Sequence, residues 1–369
     1  MKSVSGETPL IIRRLRLESV RAAPLTVPLR EPFVIATAHI EATPNVLVCV
    51  QLRDLETGIV MEGIGEAATL PAVTTETAAD IMAQLREFAW SLPRALDDNW
   101  PTLGPCARAG LDMALWDARA RLAGQPVWRM LNSAAVPTTL VSNITLSIGT
   151  ADHLAATAGN WARRGFDRFK VKVGRDYATD LQGLQAVVAA VPNCSLIIDA
   201  NAGYDAPTAL EFSSELLRLK LPVLALEQPC SKHDYAGLRA VKLAVPFGVI
   251  ADESCQNLND LQRLAELGAV SGVNLKLAKC GGLNNAIQIG KAARAHGFSL
   301  MVGAMVETRL GITAAAHLAI ALGGVEYPDL DTAWLLAADP FAGEAIGEGP
   351  EIVVGSQPGF GLRLANRDP

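Results

Sequence analysis

The chain has 369 residues, half of them hydrophobic and 19% charged, with a formal net charge of -6. That length suits a large domain with a smaller partner, and the composition suits a globular α/β protein rather than a disordered or fibrous one. No Lys/Arg run offers a footprint for a phosphate backbone, and no apolar stretch reaches the ~20 uncharged residues of a membrane span, since the run from Leu310 to Val325 contains His317; nucleic acid and membrane partners are excluded.

Met1 to Pro9 lacks the apolar core of a signal peptide. The six cysteines (Cys49, Cys106, Cys194, Cys230, Cys255, Cys280) are scattered without any C-x-x-C pair. Reduced, structural thiols in a cytoplasmic protein are therefore expected, with a homo-oligomer left open.

Residues 10 to about 65 read as antiparallel and β-rich, with VLVCVQLRDLETGIVMEGIGEA forming two strands joined at Glu56-Thr57-Gly58. From about 76 to 131 the pattern turns helical. In AGLDMALWDARARLAGQPVWRML, Leu111, Leu115, Ala118 and Leu122 recur at helical spacing before Gly124 and Pro126 stop the run. Residues 10–135 thus read as an α+β N-terminal domain.

Beyond Val136, eight short apolar runs alternate with helix-like segments: ITLSIG, FKVKVG, LIIDANAG, LALEQP, GVIADES, VNLKLAK, LMVGAMVET and YPDLD. One residue near the end of each (Thr145, Lys172, Asp199, Glu227, Asp252, Lys276, Gly303, Asp329) gives spacings of 27, 27, 28, 25, 24, 27 and 26. A strand, a crossover helix and two loops occupy such a period, so residues 136–340 predict a (β/α)8 TIM-type barrel. Residues 341–369, strand- and turn-like, exceed the barrel's needs and are expected to return to the N-terminal domain.

Alternation in FKVKVG puts Lys170 and Lys172 on one face and Phe169, Val171 and Val173 on the other. Parallel barrel strands are covered on both sides, so two inward lysines are costly without a task. Asp199, Glu227 and Asp252 each follow a strongly apolar strand, which converges three carboxylates at the C-terminal ends of consecutive strands. They repel one another unless a cation lies between them, and an all-oxygen site with open positions suits Mg2+. In VNLKLAK, Lys276 shares an inward face with Asn274 and Ala278. Lys279 has the opposite parity and is placed in the loop before Gly281-Gly282. Lys172 on the second strand and Lys276 on the sixth then face each other across the barrel.

The KVK strand, the three carboxylates, NLKLAKCGG and the cap-plus-barrel layout together resemble the muconate-lactonizing-enzyme subgroup of the enolase superfamily over nearly the whole chain. The resemblance implies a modified, enolase-like barrel with an α+β capping domain. It implies Asp199, Glu227 and Asp252 as Mg2+ ligands, Lys172 and Lys276 as acid/base catalysts, and Lys170 as an electrostatic helper. In this chemistry a proton leaves the carbon beside a carboxylate, the resulting enediolate is stabilised by Mg2+, and a lysine serves as base once its pKa is lowered toward neutrality.

The eighth strand ends in Asp329-Leu330-Asp331, and a D-x-D at this place resembles the dipeptide epimerases, where it holds the substrate's N-terminal ammonium. Thr145 resembles a family substrate contact, and Glu307 in VGAMVET resembles the seventh strand end. The resemblance thus implies a dipeptide epimerase acting on the α-carbon of the second residue. An N-acylamino acid racemase, an o-succinylbenzoate synthase or a muconate-type cycloisomerase of the same subgroup is the alternative, and a catalytically retired binding barrel the reading from another class. One departure stands out: PFVIATAHIEA carries no Arg, with Ala38 and His39 near the position where relatives acting on L-Ala-L-Glu have one, so an acidic second residue is not expected.

Overall fold

The computed structural model describes residues 14–36, 38–70, 73–95, 100, 102–136, 139–343 and 345–365. The readings for Met1 to Pro9, and for the outermost parts of the two terminal segments, lie outside the described residues. The N-terminal part opens with strands β1 (Leu15–Leu25), β2 (Pro28–Val34), β3 (His39–Ala42), β4 (Asn45–Asp54) and β5 (Val60–Ala67). Helix α1 (Ala78–Ala89), strand β6 (Arg94–Ala95) and helices α2 (Pro105–Ala123) and α3 (Val127–Leu131) follow. β5, β4, β1 and β6 make one sheet in that order, while β2 and β3 form a separate two-stranded hairpin.

Local chemistry sets these elements. In β4, Val46, Val48, Val50 and Leu52 are buried at every second position, the alternation of a sheet covered on one face. The covering element is α2, which starts with Pro105 and ends at Gly124 in the left-handed region, φ 63°. Gly63 and Gly65 let it approach closely, because a Cβ at either would run into the Ala114 or Gly110 carbonyl of α2. α1 begins with a capping box between Thr77 and Asp80.

After β7 (Thr139–Val141) the chain alternates strand and helix: β8 (Ile144–Leu146), α4 (Ala151–Ala162), β9 (Arg168–Lys172), α5 (Tyr177–Ala190), β10 (Ser195–Asp199), α6 (Ala206–Arg218), β11 (Val223–Glu227) and α7 (Tyr235–Ala244). It continues through β12 (Gly248–Ala251), α8 (Leu258–Leu267), β13 (Gly272–Lys276), a one-turn α9 (Leu277–Cys280), α10 (Leu283–Ala295), β14 (Ser299–Gly303), α11 (Arg309–Leu322), β15 (Tyr327–Asp329) and α12 (Thr332–Leu335). The eight strands β8 to β15 form one parallel sheet in sequence order. Among the described residues its ends meet through a single backbone bond, Asn143 N to Pro328 O at 3.2 Å, so the barrel is closed by side chains more than by a ladder. The α/β class and the capped eight-stranded barrel agree with the sequence reading.

Parity holds around the barrel. Leu196, Ile198, Leu226, Val249 and Val273 join the outer core beneath the helices, while Ile197, Ala225, Ile250 and Met301 make a small separate core inside. The next inward position after Ile197, Ala225 and Ile250, toward the C-terminal end, carries Asp199, Glu227 and Asp252, whereas Met301 is followed by Gly303. Strands β16 (Phe341–Ala342), β17 (Glu351–Val353) and β18 (Arg363–Leu364) complete the chain; β17 pairs with β7 and β16 with β18. Near its end, Val127 N donates to Gly359 O at 3.1 Å and Phe360 N to Asp117 at 3.0 Å, which lays this segment on α2 and α3. No helix among the described residues is long and apolar enough to cross a membrane.

Candidate active site

Register lifts the site residues to one level: Lys172 is opposite Asp199, Asp199 opposite Glu227, Lys276 opposite Gly303, and Gly303 opposite Asp329. Asp252 lies one residue past β12. Four buried lysines, Lys170, Lys172, Lys276 and Lys279, meet five buried carboxylates, Asp199, Glu227, Asp252, Asp329 and Asp331. Such a concentration of buried charge has no structural economy of its own and marks a functional site.

Lys170 is the hub. Its Nζ lies 2.7 Å from Glu227 Oε2, 2.7 Å from Asp329 Oδ2 and 3.0 Å from Asp199 Oδ2. Burial opposes its charge, but Asp199, Asp329 and Glu227 outweigh burial and raise its pKa well above the ordinary lysine value. Lys172 donates to Asp199 at 2.6 Å and to Asn201 Oδ1 at 3.2 Å, and Lys276 donates to Asp252 at 2.8 Å. Lys276 is also held above its ordinary value: burial lowers it, and Asp252, Glu227 and Asp199 more than restore it.

The carboxylates split. Burial raises Asp199 and Asp252, yet the lysines around them prevail and hold both well below the usual range. Glu227 is pushed up to about 8 by burial and by the Asp199 charge. Asn274 Nδ2 donates to Glu227 Oε1 at 2.7 Å, and Asn201 N to Asp199 Oδ1 at 2.9 Å, fixing the orientation of each. The backbone beyond these strands is unusual too: Asn201 and Gln228 have φ of 42° and 37°, in the left-handed region.

The donor set suits a hard divalent cation. All donors are oxygens, three carboxylates come from consecutive strands, and Glu227 Oε2 and Asp252 Oδ1 are fully buried and met by the ammonium groups of Lys170 and Lys279, which a cation could replace. Among the described residues no three carboxylates are already gathered as a metal group, because ammonium groups lie between them.

At the closing seam, Asp329 accepts from Asn143 Nδ2 and from Lys170, both at 2.7 Å. Asp331 accepts a short bond from Thr145 N, and is pushed up to about 6 by burial and then by the Asp329 charge. Phe33 and Ile35 of the cap hairpin, with Leu70, Val73 and Met305, line the space over Lys172 and Lys276. Glu307 is buried four residues past β14 and is pushed up to about 8 by burial and by Glu66. His39 is exposed, 3.8 Å from Glu41.

Three features escaped sequence reasoning. Lys279 is not in a loop: it sits in α9, buried, touching Asp252 Oδ1 and donating to Asn274 O at 3.1 Å. The parity argument failed because the chain leaves the strand at Leu277. Asn274 was recognised as inward, but its bond to Glu227 was not. An arginine does reach the cap hairpin, from the barrel: Arg175, past β9, donates to the carbonyls of Ile35 at 2.8 Å and Ala36 at 3.4 Å.

Residues 18–132 match the family model of the mandelate racemase / muconate lactonizing enzyme N-terminal domain, and residues 153–368 that of the enolase C-terminal domain-like family. The chain is 35% identical over 360 residues to an aromatic dipeptide epimerase of Herpetosiphon aurantiacus, covering 95% of this chain and 99% of that protein. It superposes on a substrate-liganded complex of the L-Ala-D/L-Glu epimerase from Bacillus subtilis with a TM-score of 0.87 at 30% identity, covering 94% of this chain and 98% of the other. A dipeptide epimerase from Enterococcus faecalis, complexed with Mg and the dipeptide L-Leu-L-Tyr, gives a TM-score of 0.85 at 29% identity, with 94% and 99% covered.

Proposed function

The chain belongs to the mandelate racemase / muconate lactonizing enzyme family of the enolase superfamily, and from that premise we propose that it is a Mg2+-dependent dipeptide epimerase, an isomerase inverting the α-carbon of the second residue. The observation that carries this reading is the meeting, in one buried cluster, of two lysines on opposite strands with an aspartate pair at the barrel seam. Relatives named for epimerising dipeptides support it.

Asp199, Glu227 and Asp252 would hold the cation, which offsets the negative charge gathering on the substrate carboxylate as the α-proton leaves. Lys172 Nζ and Lys276 Nζ exchange the proton at the α-carbon, one taking it and the other returning it on the opposite side, which inverts the centre. Lys170 adds fixed positive charge beside them and holds Asp329 and Glu227 in place. Asp329 and Asp331 bind the ammonium of the first residue, with Asp331 set by Thr145 N.

The second side chain is neutral and apolar in this reading. It faces Phe33, Ile35, Leu70 and Val73, among which a carboxylate would be buried unpaired, and Arg175 is occupied by backbone carbonyls. Five buried thiols, Cys106, Cys194, Cys230, Cys255 and Cys280, suit a reducing cytoplasm.

The test is incubation with Mg2+ and L,L-dipeptides in deuterated water, followed by mass and chiral analysis. One deuterium at the second α-carbon with inversion is expected. Better turnover of N-acylated amino acids, which have no ammonium, would favour the racemase alternative and overturn the dipeptide assignment.

A further inference from the structure

A second cavity, of about 230 Å³, adjoins the site at its seam end. It lies between the helix that follows the first barrel strand, the cap hairpin and α12, and its walls include Phe33, Thr145, Thr157, Trp161 and Leu335. Two of these residues, Phe33 and Thr145, also line the space over the catalytic lysines, so the two spaces share a wall. The backbone N–H of Thr145 is the group that binds Asp331.

Resting on the dipeptide reading above, we propose that this cavity receives the side chain of the substrate's first residue and selects for a large apolar one. An ammonium held by Asp329 and Asp331 places the first α-carbon at the seam, next to Thr145. The second α-carbon lies at the lysines, further into the barrel mouth. The first side chain then has one direction with room, toward the cavity. The less exposed part of its wall carries the apolar groups Phe33, Trp161 and Leu335: Trp161 is half-buried, edge-on to Phe166 with centroids 5.3 Å apart, and is fixed from another side by the Arg164 guanidinium 4.3 Å from its ring. A methyl would leave this volume nearly empty, whereas an aromatic or branched side chain fills it and gains burial. The charged members of the wall, Arg30, Glu31 and Arg164, and the polar His153 and Asn160 are all exposed.

The experiment is kcat/KM for L-Ala-L-Leu, L-Leu-L-Leu, L-Phe-L-Leu and L-Glu-L-Leu with the Mg2+-loaded wild-type protein and with Thr157→Phe, which fills the cavity from α4. In the wild type, the phenylalanine peptide is expected to exceed the alanine peptide at least tenfold. In Thr157→Phe that ratio is expected to fall at least tenfold. A wild-type ratio of one or below, a preference for the glutamate peptide, or a ratio unchanged by Thr157→Phe overturns the inference while leaving the dipeptide reading intact. Exchange on none of the peptides overturns both. The wild-type panel decides the matter even if the variant does not fold.

Discussion

Glu66 of the cap accepts a 2.6 Å hydrogen bond from the hydroxyl of Thr308, the residue that caps the helix after the seventh barrel strand. The same carboxylate accepts from Asn45 Nδ2 at 2.6 Å, from Thr308 N at 3.1 Å and from Gly311 N at 3.0 Å. One domain thus supplies the hydrogen-bond acceptor for the other's helix terminus. Glu66→Ala leaves these buried donors unpaired and is expected to lower unfolding stability by on the order of 3 kcal/mol. A urea titration checks this, and an unchanged midpoint would show that the contact stabilises nothing.

Removal of divalent metal is expected to abolish epimerisation, and added Mg2+ to restore it. Asp199→Asn takes one negative charge from the proposed ligand set and should weaken Mg2+ binding in isothermal calorimetry as well as activity. Full activity in excess chelator would remove the metal from the mechanism.

Lys172→Ala and Lys276→Ala should each reduce epimerisation by at least about a hundredfold, the scale of lost acid/base catalysis. Each variant is expected to retain α-proton exchange with deuterated water for one enantiomer only, and opposite ones for the two variants. Equal loss of exchange for both enantiomers in either variant contradicts the two-base arrangement.

Asp329→Asn and Asp331→Asn are expected to cut kcat/KM for dipeptides at least tenfold, since a charge-assisted bond to an ammonium is worth about 1.5 to 3 kcal/mol. L-Ala-L-Glu should remain a poorer substrate than L-Ala-L-Leu in the wild type. A clear preference for the glutamate peptide sinks the reading of the apolar wall.

His317, on α11, is buried with its Nδ1 accepting from Trp128 N at 3.0 Å, and burial pushes its pKa down to about 3. An unfolded histidine titrates near ~6.5. The unfolded chain therefore takes up a proton that the folded one refuses, and stability present above pH ~6.5 is lost as pH falls toward 3. Between pH 7.5 and 5 this amounts to about 2 kcal/mol. His317→Gln, which keeps an acceptor for Trp128 N, should show a shallower loss over that interval; parallel curves would assign the acid sensitivity elsewhere.

The barrel was legible in the sequence because its strands are buried on both faces and so stand out as apolar runs at a near-constant period, with Lys172, Asp199, Glu227 and Lys276 ending four of them. The inward direction of Lys170 and Lys172 followed from pleat parity alone. What was not legible depends on contacts that no local pattern encodes. Glu66 meets Thr308 across 242 positions, and Arg175 meets Ile35 across 140. Lys279 was misplaced because one turn of helix at Leu277 resets the parity on which its reading relied.

Among the described residues the hairpin of β2 and β3 pairs with no other strand of the cap sheet; it is tied to the barrel by single bonds such as Ile148 N to Val34 O at 3.0 Å and Ala337 N to Pro28 O at 2.8 Å. Yet it brings Phe33 and Ile35 to the lysines. A substitution at Phe33 or Ile35 therefore reshapes the space over Lys172 and Lys276 from outside the barrel sheet that carries them. Selectivity can thus be altered in the hairpin while the charged groups at the strand ends keep their places.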